Sequence, residues 1–153
     1  MKVAAVQLTS TGNITENQEL ALAKIREAAG NGARLIVLPE ATAQNFRSGR
    51  LDEQAQTLEG PFATAIQALA EELEVTVVAG MFCPADTVER EGKTINRVTN
   101  TALIAGPGVL GGYDKIHTYD AFDYRESDTV LAGESLVAFD VDDLIVGVAT
   151  CYD

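Results

Sequence analysis

Three side chains with complementary chemistry each follow an apolar run in the sequence. Glu40 follows Leu-Ile-Val-Leu-Pro, Lys115 follows Gly-Gly-Tyr-Asp, and Cys151 follows Ile-Val-Gly-Val-Ala-Thr. Side chains just beyond the carboxyl ends of strands gather at one edge of an α/β sheet. A thiol attacks a carbonyl efficiently when a base takes its proton and a cation stabilises the charge that develops. The pattern therefore predicts Cys151 as nucleophile, Glu40 as base and Lys115 as electrostatic partner.

The first half of the chain alternates strand-like and helix-like segments. An N-cap at Asn13, with Glu16 as its reciprocal acid, predicts a helix that ends near Gly30. Pro61 suits the first turn of a second helix, because its missing N–H is not needed there. The apolar runs at 2–8, 34–39 and 75–82 are of strand length. Together these segments predict a β-α-β-α-β unit.

The second half of the chain has a different pattern. The turn Gly106-Pro107-Gly108 separates two apolar segments, 98–104 and 109–113, which predicts a hairpin. Residues 117–134 show no periodicity and predict a long functional loop. Two strands, 135–141 and 144–150, are expected to follow. With no linker or repeat, residues 1–153 are interpreted as one domain of the α/β class.

Composition narrows the possible partners. The 153 residues carry a formal charge of −12, which would repel nucleic acid and anionic lipid. No apolar run is long enough to cross a membrane, so a cytoplasmic protein is expected. Two cysteines and one histidine do not suffice for a tetrahedral metal site, and a disulfide is disfavoured in such a chain.

Several motifs in order resemble the nitrilase (carbon-nitrogen hydrolase) superfamily. They are the first strand, 3–8, Leu38-Pro39-Glu40, the segment 113–117 (Tyr-Asp-Lys-Ile-His) and the segment 148–153 (Val-Ala-Thr-Cys-Tyr-Asp). The last two motifs look closest to the amidase branch of omega-amidases and deaminated glutathione amidases. The resemblance covers essentially the whole chain.

The resemblance implies an α/β fold of the nitrilase type, a four-layer αββα sandwich. Members of the superfamily continue well beyond the cysteine motif, so this chain is expected to supply a little over half of that fold. A missing C-terminal segment is then expected to complete the sandwich, and without it apolar surface would be exposed. The resemblance also implies a homodimer or larger homo-oligomer.

The same resemblance implies site residues and a substrate class. Glu40 would act as base, and Lys115 with the backbone N–H of Tyr152 would bind the oxyanion. Glu126 matches the second glutamate of the superfamily, although two aspartates, Asp120 and Asp123, lie in the same loop. The substrate would be a small amide, the products ammonia and a carboxylic acid, and the reaction would use no metal and no organic cofactor.

Other interpretations remain open from the sequence. A nitrile or an N-carbamoyl amino acid is the alternative substrate within the superfamily. A non-catalytic assembly or binding module is the alternative of another class. A doubly wound nucleotide-binding domain fits the first three strands but lacks Gly-x-Gly-x-x-Gly. His117 is expected to be structural, and Cys83 is expected to belong to the core.

Overall fold

The computed structural model describes residues 1–153 and is built around a five-stranded mixed sheet. Its strands pair in chain order, the first three parallel and the last two antiparallel to their predecessors. The fifth strand therefore runs in the same direction as the first three, and the ends of the second and fifth strands share one edge. The strands are β1 (Val3–Ala5), β2 (Leu35–Val37), β3 (Thr76–Arg90), β4 (Lys93–Gly106) and β5 (Val109–Asp114).

Two helices, α1 (Ile14–Gly30) and α2 (Pro61–Glu72), cover one face of this sheet. Their buried side chains include Ile25 and Phe62, and these pack on sheet residues such as Val77. Burial of each such side chain contributes roughly 1.5–3 kcal/mol. The larger of the hydrophobic clusters therefore lies between the helices and the sheet.

The opposite face of the sheet is covered by an antiparallel hairpin of two strands, β8 (Ala138–Val141) and β9 (Leu144–Gly147). Phe139 and Val141 pack against the sheet in a second cluster. On the hairpin's outer side Ile145 is 80% exposed. The chain thus forms a helix layer, a sheet and a covering hairpin, which confirms the predicted α/β class.

The helix starts were well predicted, with one correction at α1. Asn13 caps α1 by accepting from the backbone N–H groups of Thr15 and Glu16. The Glu16 carboxylate accepts from the Thr11 hydroxyl, and the same hydroxyl accepts from the Asn13 N–H. Glu16 was expected to accept from the Asn13 N–H, but the Thr11 hydroxyl accepts from that N–H instead.

The strand boundaries differ more from the prediction. β3 and β4 continue far beyond the predicted segments and meet at a tight turn, where Glu91 and Gly92 both have positive φ. β1, β2, β8 and β9 are shorter than predicted. The predicted loop 117–134 contains a small hairpin, β6 (Asp120–Ala121) with β7 (Tyr124–Arg125), and a 3₁₀ turn, Glu126–Asp128. The sequence did not predict the outer part of the β3–β4 hairpin, because its residues are mostly polar and show no alternation of apolar and polar side chains.

The strand order has no reversal, and a doubly wound sheet binds its ligand where the strand order reverses. The topology therefore differs from that of the nucleotide-binding alternative. Neither helix has the length and apolar character that would let it span a bilayer.

Gly80 in β3 allows the bend after β2 to lie directly against the sheet. A Cβ at this position would come within 2.4 Å of the Ala41 nitrogen and 2.7 Å of the Pro39 oxygen. The Gly80 N–H donates to Pro39 O, and the Ala43 N–H donates to Gly80 O. The backbone that carries Glu40 is thus packed on a position without a side chain.

We expect Gly80→Ala to destabilise the protein by about 1–3 kcal/mol, because the new methyl group overlaps backbone atoms that cannot rotate away. The urea midpoint measures the loss. Gly111→Ala in β5 is the matched control, since a Cβ there meets nothing within 4 Å. Equal midpoints for the two variants would contradict the close approach.

Candidate active site

Glu40 lies in a sharp bend that begins where β2 ends. Leu38 still donates to Val78 O, after which Ala41 adopts a left-handed φ of 57°. The Thr42 hydroxyl donates to Pro39 O at 2.6 Å and closes the bend. A non-glycine residue in the left-handed region costs energy and is common near functional sites. The bend fixes the Glu40 carboxylate at the edge of the sheet, with 24% of the side chain exposed.

Lys115 follows β5 at the same edge and is buried between two carboxylates. Its Nζ donates to Glu126 Oε2 at 2.9 Å and to Glu40 Oε1 at 3.3 Å. The side chains of Lys115 and Glu126 are each only 2% exposed. Buried charges are tolerated when they are paired and hydrogen-bonded, and this group meets both conditions. The sequence-predicted Glu40, Lys115 and Glu126 are therefore brought together.

Glu126 rather than Asp120 or Asp123 occupies the position beside Lys115. Its carboxylate also accepts from the backbone N–H of Tyr119 at 2.7 Å. Asp120 instead accepts from the N–H and hydroxyl of Ser127, and Asp123 is exposed. The small hairpin of β6 and β7, called the mini-hairpin below, is followed by Glu126, which is buried, whereas the two aspartates are exposed.

The environment of Lys115 keeps its ammonium charged. Burial by itself would lower the pKa of Lys115, but the hydrogen bond to Glu126 and the charges of Glu40 and Glu126 outweigh burial and raise the pKa. Lys115 is therefore suited to stabilise negative charge rather than to exchange protons near neutral pH.

Cys151 lies in a turn rather than directly after a strand. β9 ends at Gly147, and Cys151 itself has a left-handed φ of 53°. The backbone N–H of Tyr152, the predicted oxyanion donor, gives no hydrogen bond to any backbone carbonyl. The turn thus presents a thiol and an available N–H side by side.

Asp153 holds this turn in place. Its carboxylate accepts from the Tyr113 hydroxyl at 2.6 Å and from the N–H groups of His117 at 2.8 Å and Thr150 at 2.9 Å. Partial burial acts to raise the pKa of Asp153, but these donors lower it to about 2. The His117 ring also contacts Asp153 at 3.1 Å. His117 therefore contacts the turn through Asp153.

The thiol of Cys151 is not a preformed thiolate. Burial and the charge of Glu40 raise its pKa, and the opposing charge of Lys115 does not cancel them. A carboxylate that must accept a proton is then more useful than a cation alone. Cys83, the other cysteine, also has a pKa raised by burial, and it packs against the helix-side core.

These side chains line a cleft of about 410 Å³. Its walls include the aromatic rings of Phe46, Tyr119 and Tyr124, and Arg47 also lines it. No group of three or more His, Cys, Asp or Glu side chains is arranged to hold a metal ion. The arrangement brings a thiol, two carboxylates and an ammonium group to one small space.

Several residues of this site were not predicted from the sequence, among them Asn100, Asp153 and the cleft-lining Arg47. Asn100 on β4 donates to Glu40 Oε1 at 2.7 Å and to Glu126 Oε1 at 3.1 Å. An amide within the apolar segment Thr-Asn-Thr-Ala-Leu-Ile-Ala was the available signal, since a buried amide needs partners. Asp153 lies two positions after the predicted nucleophile, but it anchors the turn through Tyr113 and His117, which are far from it in the sequence.

The chain is similar to known carbon-nitrogen hydrolases along its whole length. The carbon-nitrogen hydrolase family profile matches residues 2–153. The chain is 40% identical over 158 residues to "Hydrolase Rv0480c" of Mycobacterium tuberculosis, covering 100% of this chain and 53% of that protein. It is 35% identical to the deaminated glutathione amidase of Synechocystis, covering 98% of this chain and 57% of the relative.

Human omega-amidase NIT2 is 28% identical, with 99% of this chain and 55% of the human protein covered. Among solved structures, XC1258 from Xanthomonas campestris, a CN-hydrolase superfamily protein, superposes with a TM-score of 0.79 at 24% identity. The match covers 98% of this chain and 52% of that one. The chain thus spans about half the length of the relatives it matches.

We expect Lys115→Met to destabilise the protein by about 3–5 kcal/mol, because the buried Glu126 carboxylate would lose its cation. Adding Glu126→Gln should recover a large part of that loss by removing the stranded charge. Urea unfolding of both variants measures the difference. The control is Lys24→Met, whose exposed pair with Glu27 should contribute less than about 1 kcal/mol. If Lys115→Met alone were as stable as Lys24→Met, the stabilising ion pair between Lys115 and Glu126 would be contradicted.

Proposed function

Because the chain belongs to the carbon-nitrogen hydrolase family, we propose that the protein is a cysteine-dependent amidase that releases ammonia from a small carboxamide. The observation that carries the proposal is the shared cleft of Cys151, Glu40 and Lys115, with Glu126 behind them. Acyl transfer through a thioester requires a thiol nucleophile, a base and a group that stabilises the oxyanion, and the thiol, carboxylate and ammonium of this cleft can supply them.

Acylation begins with the neutral thiol. Glu40 accepts the proton of Cys151 while the sulfur attacks the amide carbonyl carbon. The resulting oxyanion is stabilised by the Lys115 ammonium and the Tyr152 N–H, and the loss of one such donor typically costs about 2.7–4 kcal/mol. Glu40 then returns the proton to the nitrogen, the C–N bond breaks, and ammonia leaves.

Deacylation uses the same groups in reverse. Glu40, once more a carboxylate, takes a proton from a water molecule that attacks the thioester carbon. The C–S bond breaks, the proton passes to the sulfur, and a carboxylic acid leaves. Lys115 stays charged throughout, in agreement with its raised pKa.

Arg47 supports a substrate that carries its own negative charge. Every other arginine in the chain forms a salt bridge, whereas the Arg47 side chain has none, although it lines the cleft. Its loop is fixed, because Phe46 packs on Phe82 with ring centroids 5.1 Å apart and Asn45 accepts from the Arg47 N–H. In a chain of charge −12, a free guanidinium beside a small cleft favours a carboxylate ligand.

We expect the complete encoded protein to release ammonia from small amides and Cys151→Ala to lose this activity. The panel should include nitriles and N-carbamoyl amino acids, the alternative substrates of the family. Ammonia appearing from only one class would identify that class. Cys83→Ala is the matched control and should keep turnover, since Cys83 packs against the helix-side core and does not line the cleft.

Thiol labelling separates the amidase from a non-catalytic module. The pKa is raised for both cysteines, but Cys151 is exposed and Cys83 only partly so. The accessible thiol, whose proton Glu40 can accept during the reaction, should therefore react faster with iodoacetamide. Equal, slow labelling of both cysteines, together with no ammonia from any substrate, would rule out the enzyme for this protein.

We expect Arg47→Gln to raise KM about 10-fold or more for an amide that bears a carboxylate, because a charge-assisted hydrogen bond is lost. The KM of an uncharged amide of the same length should stay unchanged. Arg26→Gln, which removes an arginine on α1 that pairs with Glu72, controls for net charge. An equal KM effect on both amides would refute carboxylate recognition by Arg47.

A further inference from the structure

Asn100 is a buried neutral residue among the charged groups of the site. It is 1% exposed on β4, and its Nδ2 lies 2.7 Å from Glu40 Oε1 and 3.1 Å from Glu126 Oε1. Carboxylates only accept hydrogen bonds, so the side-chain NH₂ group and not the oxygen must face them. Its two hydrogens are therefore shared between the two acids.

Lys115 completes a closed ring with these groups. It donates to Glu126 Oε2 and to Glu40 Oε1, so each carboxylate accepts from both Asn100 and Lys115. The backbone carbonyl of Asn100 also accepts the Lys115 N–H at 2.9 Å. One residue of β4 thus contacts all three charged members of the site.

The ring leaves the two oxygens of Glu40 unequal. Oε1 accepts from both Asn100 and Lys115, whereas Oε2 accepts from neither of them. An oxygen already holding two donors is a poor proton acceptor, which makes Oε2 the better acceptor for the proton of the thiol. With one ammonium group and two carboxylates, the neutral amide also leaves the ring one net negative charge, as a base requires.

We propose that Asn100 is a positioning residue that holds Glu40 and Glu126 in one ring with Lys115 and directs Glu40 Oε2 toward Cys151 for proton transfer. The proposal rests on the proposed function and assigns a role to a residue that does not touch the substrate. Displacement of a catalytic group by about 1 Å can lower the reaction rate about 100-fold, so the removal of a positioning residue has a measurable effect.

The test compares Asn100→Leu, which has similar size and no donor, with Asn100→Ser, which keeps one donor. Asn96→Leu is the matched control, because Asn96 lies on the same strand, is exposed, and contacts Asp52 and Thr87 outside the site. For each protein, kcat and KM are measured on the amide that the wild type hydrolyses. The pH dependence of iodoacetamide alkylation is measured separately for Cys151 and Cys83.

For Asn100→Leu we expect kcat to fall about 10- to 100-fold with KM changed less than about 3-fold, since alignment and not binding is lost. Asn100→Ser should lie between this variant and the wild type. The alkylation midpoint of Cys151 should move to lower pH, because the Glu40 charge is no longer fixed beside the sulfur. Cys83 should stay slowly labelled, and Asn96→Leu should behave as wild type.

A wild-type kcat in Asn100→Leu would overturn the proposal. So would a loss of kcat with an unchanged Cys151 midpoint, or rapid labelling of Cys83 in both Asn100 variants, since either result would mean a purely structural role. If the wild type hydrolyses no substrate, the proposed function fails. The Cys151 midpoint in Asn100→Leu still decides the positioning role, because alkylation needs no turnover.

Discussion

The burial of one ammonium group organises the site. Lys115 is almost fully removed from water, and an unpaired charge there would cost several kcal/mol. Two carboxylates must therefore reach it, one from the bend after β2 and one from the loop after β5. The pairing of distant segments around Lys115 thus links the sheet, the bend and the mini-hairpin into one unit.

Two left-handed residues provide the second constraint on the site. Ala41 follows the predicted base, and Cys151 is itself the predicted nucleophile. Neither is a glycine, so each conformation costs energy that surrounding contacts must offset. Gly80 admits the first bend against the sheet, while the four donors around Asp153 hold the second. The reactive groups are held by backbone geometry as much as by side-chain pairing.

The electrostatics of the cleft differ from those of the whole chain. The chain is strongly acidic, and Lys115 with its two carboxylate partners carries one net negative charge, yet the cleft also contains Arg47, which forms no salt bridge. Under the proposed function, the Arg47 guanidinium would attract a small anionic amide, whereas the charge of the rest of the chain would repel it. The raised pKa of Cys151 favours the protonated thiol near neutral pH, so the proposed mechanism relies on proton transfer to Glu40 rather than on a preformed thiolate.

The sequence by itself determined the α/β class, the start of α2 at Pro61 and the existence of the strands that precede Glu40 and Lys115, because periodicity, proline and local runs encode these features. It also selected Cys151 by its motif. The tertiary structure decided the rest: the long polar β3–β4 hairpin, the position of Glu126 rather than Asp120 or Asp123 beside Lys115, and the contacts of Asn100 and Asp153. These features depend on which distant hydrogen-bond donors and acceptors meet when the core is packed, and local residue patterns do not predict such pairings.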